Sequence, residues 1–308
     1  MVPIRYTIDS DYNMKILFIT DFSLDHNSGG AQRSNDIIVK TGVELKHVVH
    51  NMYHDSGLKT NDLIKLIGEH KYDYIISSNL ELLSKEEGLI DLLYMMPNHI
   101  RLEHDMNMYL DDESRFKLFS NCHKTFFLTE YHHQKFRDFY GDYFQNVEIV
   151  ADPIDTSVFY DFGKDREDAT LYTGFMHSFK GTSVFINHVK ENPSKKFIVA
   201  GWGSDHLVNQ IKDLENVEYL EKVEYEKMPE VYNRVSSIFY KPNMYEPFCR
   251  SVGEAILCGV PNLVVNDIIG CVHEESRLGF DEFKNSCNNA ADNFWSIIEN
   301  DFDSMYLS

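Results

Sequence analysis

The chain of 308 residues is short of the usual supports from outside its own packing. Its five cysteines, Cys122, Cys249, Cys258, Cys271 and Cys287, are odd in number and contain no CxxC pair. That argues against a disulfide framework and a zinc site and suits a reducing compartment. Positive charge is scarce: 29 Lys and Arg face 49 Asp and Glu, a net charge of −20, so general affinity for nucleic acid or anionic lipid is not expected of the whole surface. No apolar run approaches the roughly 18 residues that a membrane span needs, and the amino terminus has no basic-then-apolar leader. A cytoplasmic protein without a transmembrane segment is expected. Internal repeats and low-complexity stretches are not apparent.

What the sequence does have is regular alternation. At 43% hydrophobic, it carries enough apolar residues for substantial cores, and its length suits about two domains. KILFIT, ending at Asp21, is a continuous apolar run, the pattern of a strand buried on both faces of a parallel sheet. HVVHNMY, YDYIISSN, HIRLEHDM and the start of KTFFLTEYHHQKFRDFY read as further strands, with NDLIKLIGEH and the segment after Thr129, a candidate cap, as helices. After VEIVADPIDTSVF and the polar FGKDREDA, the strand TLYTGF restarts the alternation, which predicts a second α/β domain. Its further strands are KKFIVAGWGSD, VEYLEKV, SIFYKP and PNLVVND, with MPEVYNRV as a helix and one or two helices in DEFKNSCNNAADNFWSIIEND. The expected domains are residues 1–150 and 151–285, with a terminal helix in 286–308 packing back toward the first. Residues 1–13, MVPIRYTIDSDYN, read either as a short extra strand or as a segment ahead of a start at Met14.

Most of the chemistry lies in YKPNMYEPFCRSVGEAILCG, Tyr240 to Gly259. Pro242 and Pro247 keep its first half out of a helix and SVGEAIL begins one, so Glu246 sits on a loop and Glu254 about one turn into a helix. Between them lie the amides of Cys249, Arg250 and Ser251, which with the helix dipole can receive an anion. Two hydroxyl-binding carboxylates around such a cradle are what a nucleoside diphosphate sugar requires. An ordinary strand–loop–helix joint with surface glutamates accounts for the stretch equally well.

Other candidates stand at other strand ends. Asn27-Ser28-Gly29-Gly30 follows the first strand, where paired glycines permit positive φ and close approach of a phosphate or sugar. Gly174, Lys180 and Gly181 lie between a strand and a helix, with Lys180 able to pair with a phosphate. His104, between Glu103 and Asp105 at the end of HIRLEHDM, is favoured by position over His99, His132 and His133 as a group that orients a hydroxyl. Gly201-Trp202-Gly203 is not a dinucleotide fingerprint, because His206 stands at the third glycine. The basic residues Arg115, Lys117, Lys124, Lys135 and Arg137 form a local cluster, either an acceptor- or membrane-facing patch or, better supported, a solvated helix face.

Taken together, these residues resemble a retaining glycosyltransferase of family 4, over roughly Met14 to Trp295. EPFCRSVGEAILCGVP is similar to the family's E-x7-E segment, and VADPIDTSVF to its P-N-G-[IV]-D-x-x-x-F turn without the Asn-Gly pair. SGGAQRS resembles the amino-terminal Gly-Gly loop, LEHD the His-Asp strand end, and YTGFMHSFKG the G-R-x-x-x-x-K-G phosphate loop.

The resemblance implies a GT-B architecture, two Rossmann-like doubly wound domains facing each other across a cleft. It implies a nucleotide-sugar donor, UDP- or GDP-linked, with neither metal nor cofactor. Glu254 would bind ribose hydroxyls, Glu246 the donor sugar, Lys180 the diphosphate, with Gly181, Arg250 and Ser251 beside it. Gly29 and Gly30 would approach the phosphates, and His104 the sugar and acceptor. Two departures stand out: Phe175 occupies the place of the family's arginine, and Cys249 that of a glycine. Arg250 is the candidate replacement for the missing cation. Glycan, lipid-linked and small-molecule acceptors all remain open. So do a DNA glycosyltransferase acting on hydroxymethylated bases and a noncatalytic sugar-nucleotide-binding subunit.

Overall fold

The computed structural model describes residues 13–25 and 29–306, so the first twelve residues and Asn27-Ser28 of the Gly-Gly turn lie outside the described residues. Six strands form one sheet: β1 (Lys15–Thr20), β2 (Val48–Tyr53), β3 (Tyr74–Ser77), β4 (His99–Leu102), β5 (Lys124–Phe127) and β6 (Val147–Ile149). Their order is β2-β1-β3-β4-β5-β6 and every pair is parallel. Five more form a second sheet: β7 (Glu167–Met176), β8 (Lys196–Gly203), β9 (Val217–Tyr219), β10 (Val235–Tyr240) and β11 (Asn262–Val265). Here the order is β11-β10-β7-β8-β9, again all parallel.

Helices connect successive strands, as parallel pairing demands. The continuous apolar run of β1 has the expected consequence: Ile16, Leu17, Phe18 and Ile19 are all fully buried. In the second sheet, Tyr172, Val199 and Phe239 from three strands share a core with Phe185, Ile186 and Val189 of the helix Thr182–Glu191. All five cysteines are buried, and none is joined in a disulfide. Among the described residues, no helix is long and apolar enough to cross a membrane.

The chain divides into two compact units. The first holds residues 1–128, 133–153 and 289–308, and the second residues 129–132 and 154–288. Within the first unit, the helix Ala290–Tyr306 packs on the helix Gly30–Glu44. Trp295 is fully buried there and its indole N–H donates to the Ile38 carbonyl at 2.7 Å. Gly42 admits the ring, since a Cβ at that position would collide with it.

Short helices are the elements missing from the sequence reading: Leu89–Tyr94, Asp112–Ser120, Asp205–Lys212 and Gly270–Leu278. Asp112–Ser120 opens on the polar DES and has no sustained apolar stripe; Asp111 caps it by accepting the Ser114 amide at 2.7 Å. Thr129 caps the helix Glu130–Tyr140 as expected, its hydroxyl accepting the His132 amide at 2.9 Å.

Candidate functional site

In doubly wound sheets, ligands bind beyond the carboxyl ends of the strands where strand order reverses. In the second sheet that point falls between β7 and β10. The loop after β7 carries Lys180 and the loop after β10 carries Glu246, so the topology alone brings these two residues together. Lys180 Nζ lies 2.6 Å from Glu246 Oε1, and the Tyr240 hydroxyl donates to the same oxygen at 2.9 Å. Burial works to depress the Lys180 pKa, but the charge and hydrogen bond of Glu246 outweigh it and hold the ammonium above its ordinary value. Burial, followed by the Glu246 charge, pushes the Tyr240 phenol up, so it remains a donor.

The two loops are also tied through their backbones. The Asn243 amide donates to Phe179 O at 2.9 Å and its side chain to Ser178 O at 2.9 Å. Gly181 has φ +78°, and a Cβ there would collide with the Lys241 carbonyl. What this glycine allows in the structure is the approach of backbone to backbone. The turn Ser178–Lys180 is thereby fixed to the segment bearing Glu246.

Glu254 lies inside the helix Arg250–Leu257. Its Oε1 accepts from Arg250 Nε at 3.0 Å and its Oε2 from the Tyr232 hydroxyl at 3.1 Å. Arg250 also donates to the Tyr225 hydroxyl at 2.8 Å. Burial, then the charge of Glu254, raises both phenols. Arg250, the candidate replacement cation, turns its guanidinium back along its own helix, where it holds Glu254. Cys249 caps that helix with φ 71°, the left-handed region in which glycine is at ease. Burial first, and then Glu246, pushes its thiol up, leaving it a neutral side chain at pH 7. Ser251 stands beside β7, its hydroxyl 3.8 Å from where a Cβ of Gly174 would be.

In the first unit, Gly29 caps the helix Gly30–Glu44 at φ −70° and ψ 167°, and Gly30 is the first helical residue. Neither adopts the positive φ that paired glycines permit. His104 follows β4 rather than ending it. Its Nε2 lies 3.1 Å from Asn35 Oδ1, which also accepts from Ser78 at 2.9 Å, while Asn35 Nδ2 faces Thr20 and Asn79. With Oδ1 as acceptor, Nε2 is the ring nitrogen that donates.

The acids flanking His104 differ sharply. Glu103 is fully buried and accepts from Arg101 Nε at 3.0 Å, from the amides of His104 and Asp105 at 2.9 and 3.0 Å, and from Asn107 Nδ2. Asp105 is pushed up to about 7 by burial and then by the Glu103 charge.

The basic cluster is answered residue by residue by acids. Arg115 pairs with Asp112, Lys117 with Asp91 and Glu113, Lys124 with Glu148 and Asp301, Lys135 with Asp138, and Arg137 with Asp142. Arg115 is buried, its guanidinium 3.8 Å from the Tyr140 ring centre. These residues do not form an uncompensated cationic patch. The sequence reading missed Tyr225, Tyr232, Tyr240 and Asn243. Tyr240 and Asn243 lie inside the stretch Tyr240–Gly259, but nothing in the sequence places Tyr225 and Tyr232 against Glu254.

The strand orders now have counterparts among known proteins. Solved structures with the same fold include HepE of Anabaena in complex with UDP and glucose, 14% identical, with a TM-score of 0.63 over 96% of this chain and 99% of that one. Sucrose-phosphate synthase of Thermosynechococcus elongatus is 9% identical, with a TM-score of 0.67 over 95% and 98%. An alpha-glucosyltransferase in complex with UDP and a 13-mer DNA containing an HMU base is 13% identical, with a TM-score of 0.56 over 91% and 90%. At these identities the likeness establishes the fold, which is GT-B: two Rossmann-like α/β units with parallel sheets. Residues 161–283, nearly all of the second unit, match the family described as Glycosyl transferases group 1. No curated protein sequence matches the chain significantly.

Proposed function

We propose that the protein is a retaining glycosyltransferase that moves a sugar from a nucleoside diphosphate sugar, UDP- or GDP-linked, to an acceptor hydroxyl. The observation that carries this reading is the pairing of Lys180 with Glu246 at the switch point of the second sheet, one helix away from the clamped carboxylate of Glu254. Lys180 takes the diphosphate charge together with the first-turn amides at Arg250 and Ser251. Glu246 accepts from sugar hydroxyls. Glu254, oriented by Arg250 and Tyr232, accepts from the ribose. In the first unit, Gly29, Gly30 and His104 are the candidate contacts to a hydroxylated substrate.

The reaction follows a front-face course. The bond between the sugar's anomeric carbon and the phosphate oxygen breaks, the acceptor oxygen bonds to that carbon on the same face, and the acceptor proton passes to the departing phosphate. No protein nucleophile is needed, and Cys249 does not offer one. The reading places the protein in the cytoplasm.

Turnover of a UDP- and GDP-sugar panel, with water or simple sugars as acceptor, tests the proposal. Lys180→Ala should reduce kcat/KM about 100-fold, the scale of a lost charge-assisted contact at a developing charge. Glu254→Gln should act mainly on donor KM. Absence of turnover with every donor, or wild-type rates in Lys180→Ala, overturns it.

A further inference from the structure

Four rings stand in a row at the carboxyl ends of β7 and β8. Phe175 and Trp202 are register partners on adjacent parallel strands, with ring centres 6.3 Å apart. Phe175 is followed on the same face by His177, 6.0 Å away with planes 13° apart, and His177 lies 4.3 Å from Phe179. Each end of the row carries an ammonium group: Lys222 Nζ is 4.8 Å from the Trp202 ring centre and Lys180 Nζ is 5.5 Å from that of Phe179.

Packing does not account for the row. Phe175, Phe179 and Trp202 are 43%, 38% and 38% exposed, whereas their neighbours Tyr172 and Met176 are fully buried in the core. A contiguous aromatic surface left in water marks a binding face. π faces with a cation at each end complement a ligand that is both planar and anionic, the combination found in a nucleotide. The row's polar groups are few: the indole N–H of Trp202 and the ring nitrogens of His177. A base would therefore be held by its face, and its edge would be read little.

We propose that the Phe175–His177–Phe179–Trp202 row is a stacking site for the base of a nucleoside diphosphate whose phosphates turn toward Lys180, and that it selects by ring area. Phe175, standing where the resembling family has a phosphate-binding arginine, trades a charge contact for a stacking contact. Purine diphosphates then bind at least as tightly as UDP. The inference rests on the donor reading above.

The chain has two tryptophans, and Trp295 is fully buried in the first unit, so a ligand-dependent change in tryptophan emission reports on Trp202. ADP, GDP and UDP are titrated while emission is followed, with calorimetry in parallel. The expected result is saturable quenching by all three, with ADP and GDP no weaker than UDP. Phe175→Ala should weaken GDP binding about 10-fold, within the range for one lost base–aromatic contact. Phe175→Leu, which keeps apolar bulk on the strand and loses the π face, should weaken it by a similar factor and guards against a folding artefact. Calorimetric binding without quenching, unchanged GDP affinity in both variants, or clear preference for UDP sinks the stacking site while leaving the donor reading intact. No calorimetric binding of any diphosphate sinks both.

Discussion

Glu103 and Asp105 flank His104, yet the structure gives the two acids different tasks. Glu103 is a buried anchor: it neutralises Arg101 and receives the next two backbone amides, fixing the turn that carries His104. Asp105 stands beside that charge in a partly buried position, and its pKa rises from the ordinary aspartate value to about 7. A raised carboxyl pKa means that the folded protein holds a proton which the unfolded chain has released. The contribution of this one group to stability is then fullest near pH 4 and falls as pH rises toward 7. Asp105→Asn keeps an acceptor for the Asn107 amide and removes the titration. Urea unfolding at pH 5 and pH 7.5 should show the wild type losing stability between the two and the variant losing much less. Parallel losses would show that Asp105 does not titrate there. Adjacency in sequence gave no sign of this division of labour, because it follows from depth below the surface.

At the scale of elements, the candidate site depends on holding two loops together, and Gly181 is the point of contact. Gly181→Ala would force a Cβ onto the Lys241 carbonyl at a φ of +78°. It should cost about 2 kcal/mol or more of stability and, by moving Lys180 from Glu246, should lower diphosphate affinity as well. Chemical unfolding and nucleotide calorimetry on one variant check both effects; full stability would show that the loops are not locked. The sequence made strand-end loops legible, since continuous apolar runs such as KILFIT and KKFIVAG mark buried parallel strands and loops follow them. It placed Glu246 and Lys180 on such loops, and the structure brings the two together. It did not expose the tyrosine clamps, because Tyr225 and Tyr232 reach Glu254 from elements more than twenty residues away. Nor did it show that Gly29 is extended and Gly30 helical, since Gly-Gly is compatible with nearly every backbone conformation.

For the whole molecule, connectivity matters as much as topology. The first unit is discontinuous: the chain leaves it at Pro153 and returns at Asn289. The returning helix is integral to its core. Phe294 packs on Phe126 with ring centres 4.6 Å apart, Trp295 fills the space above Gly42, and Asp301 pairs with Lys124. Removing two fully buried aromatic side chains should by itself cost several kcal/mol, comparable with the whole stability of many domains. A fragment ending at Pro153 should therefore lack cooperative unfolding and bind a hydrophobic dye. Residues 1–153 joined by a short glycine–serine linker to 289–308 should recover a cooperative thermal transition. Near-ultraviolet circular dichroism follows the return of Trp295 to its fixed environment, since Trp202 is absent from both polypeptides. Cooperative unfolding of the 1–153 fragment alone would show that the terminal helix is an accessory to the first unit and that its core closes without it.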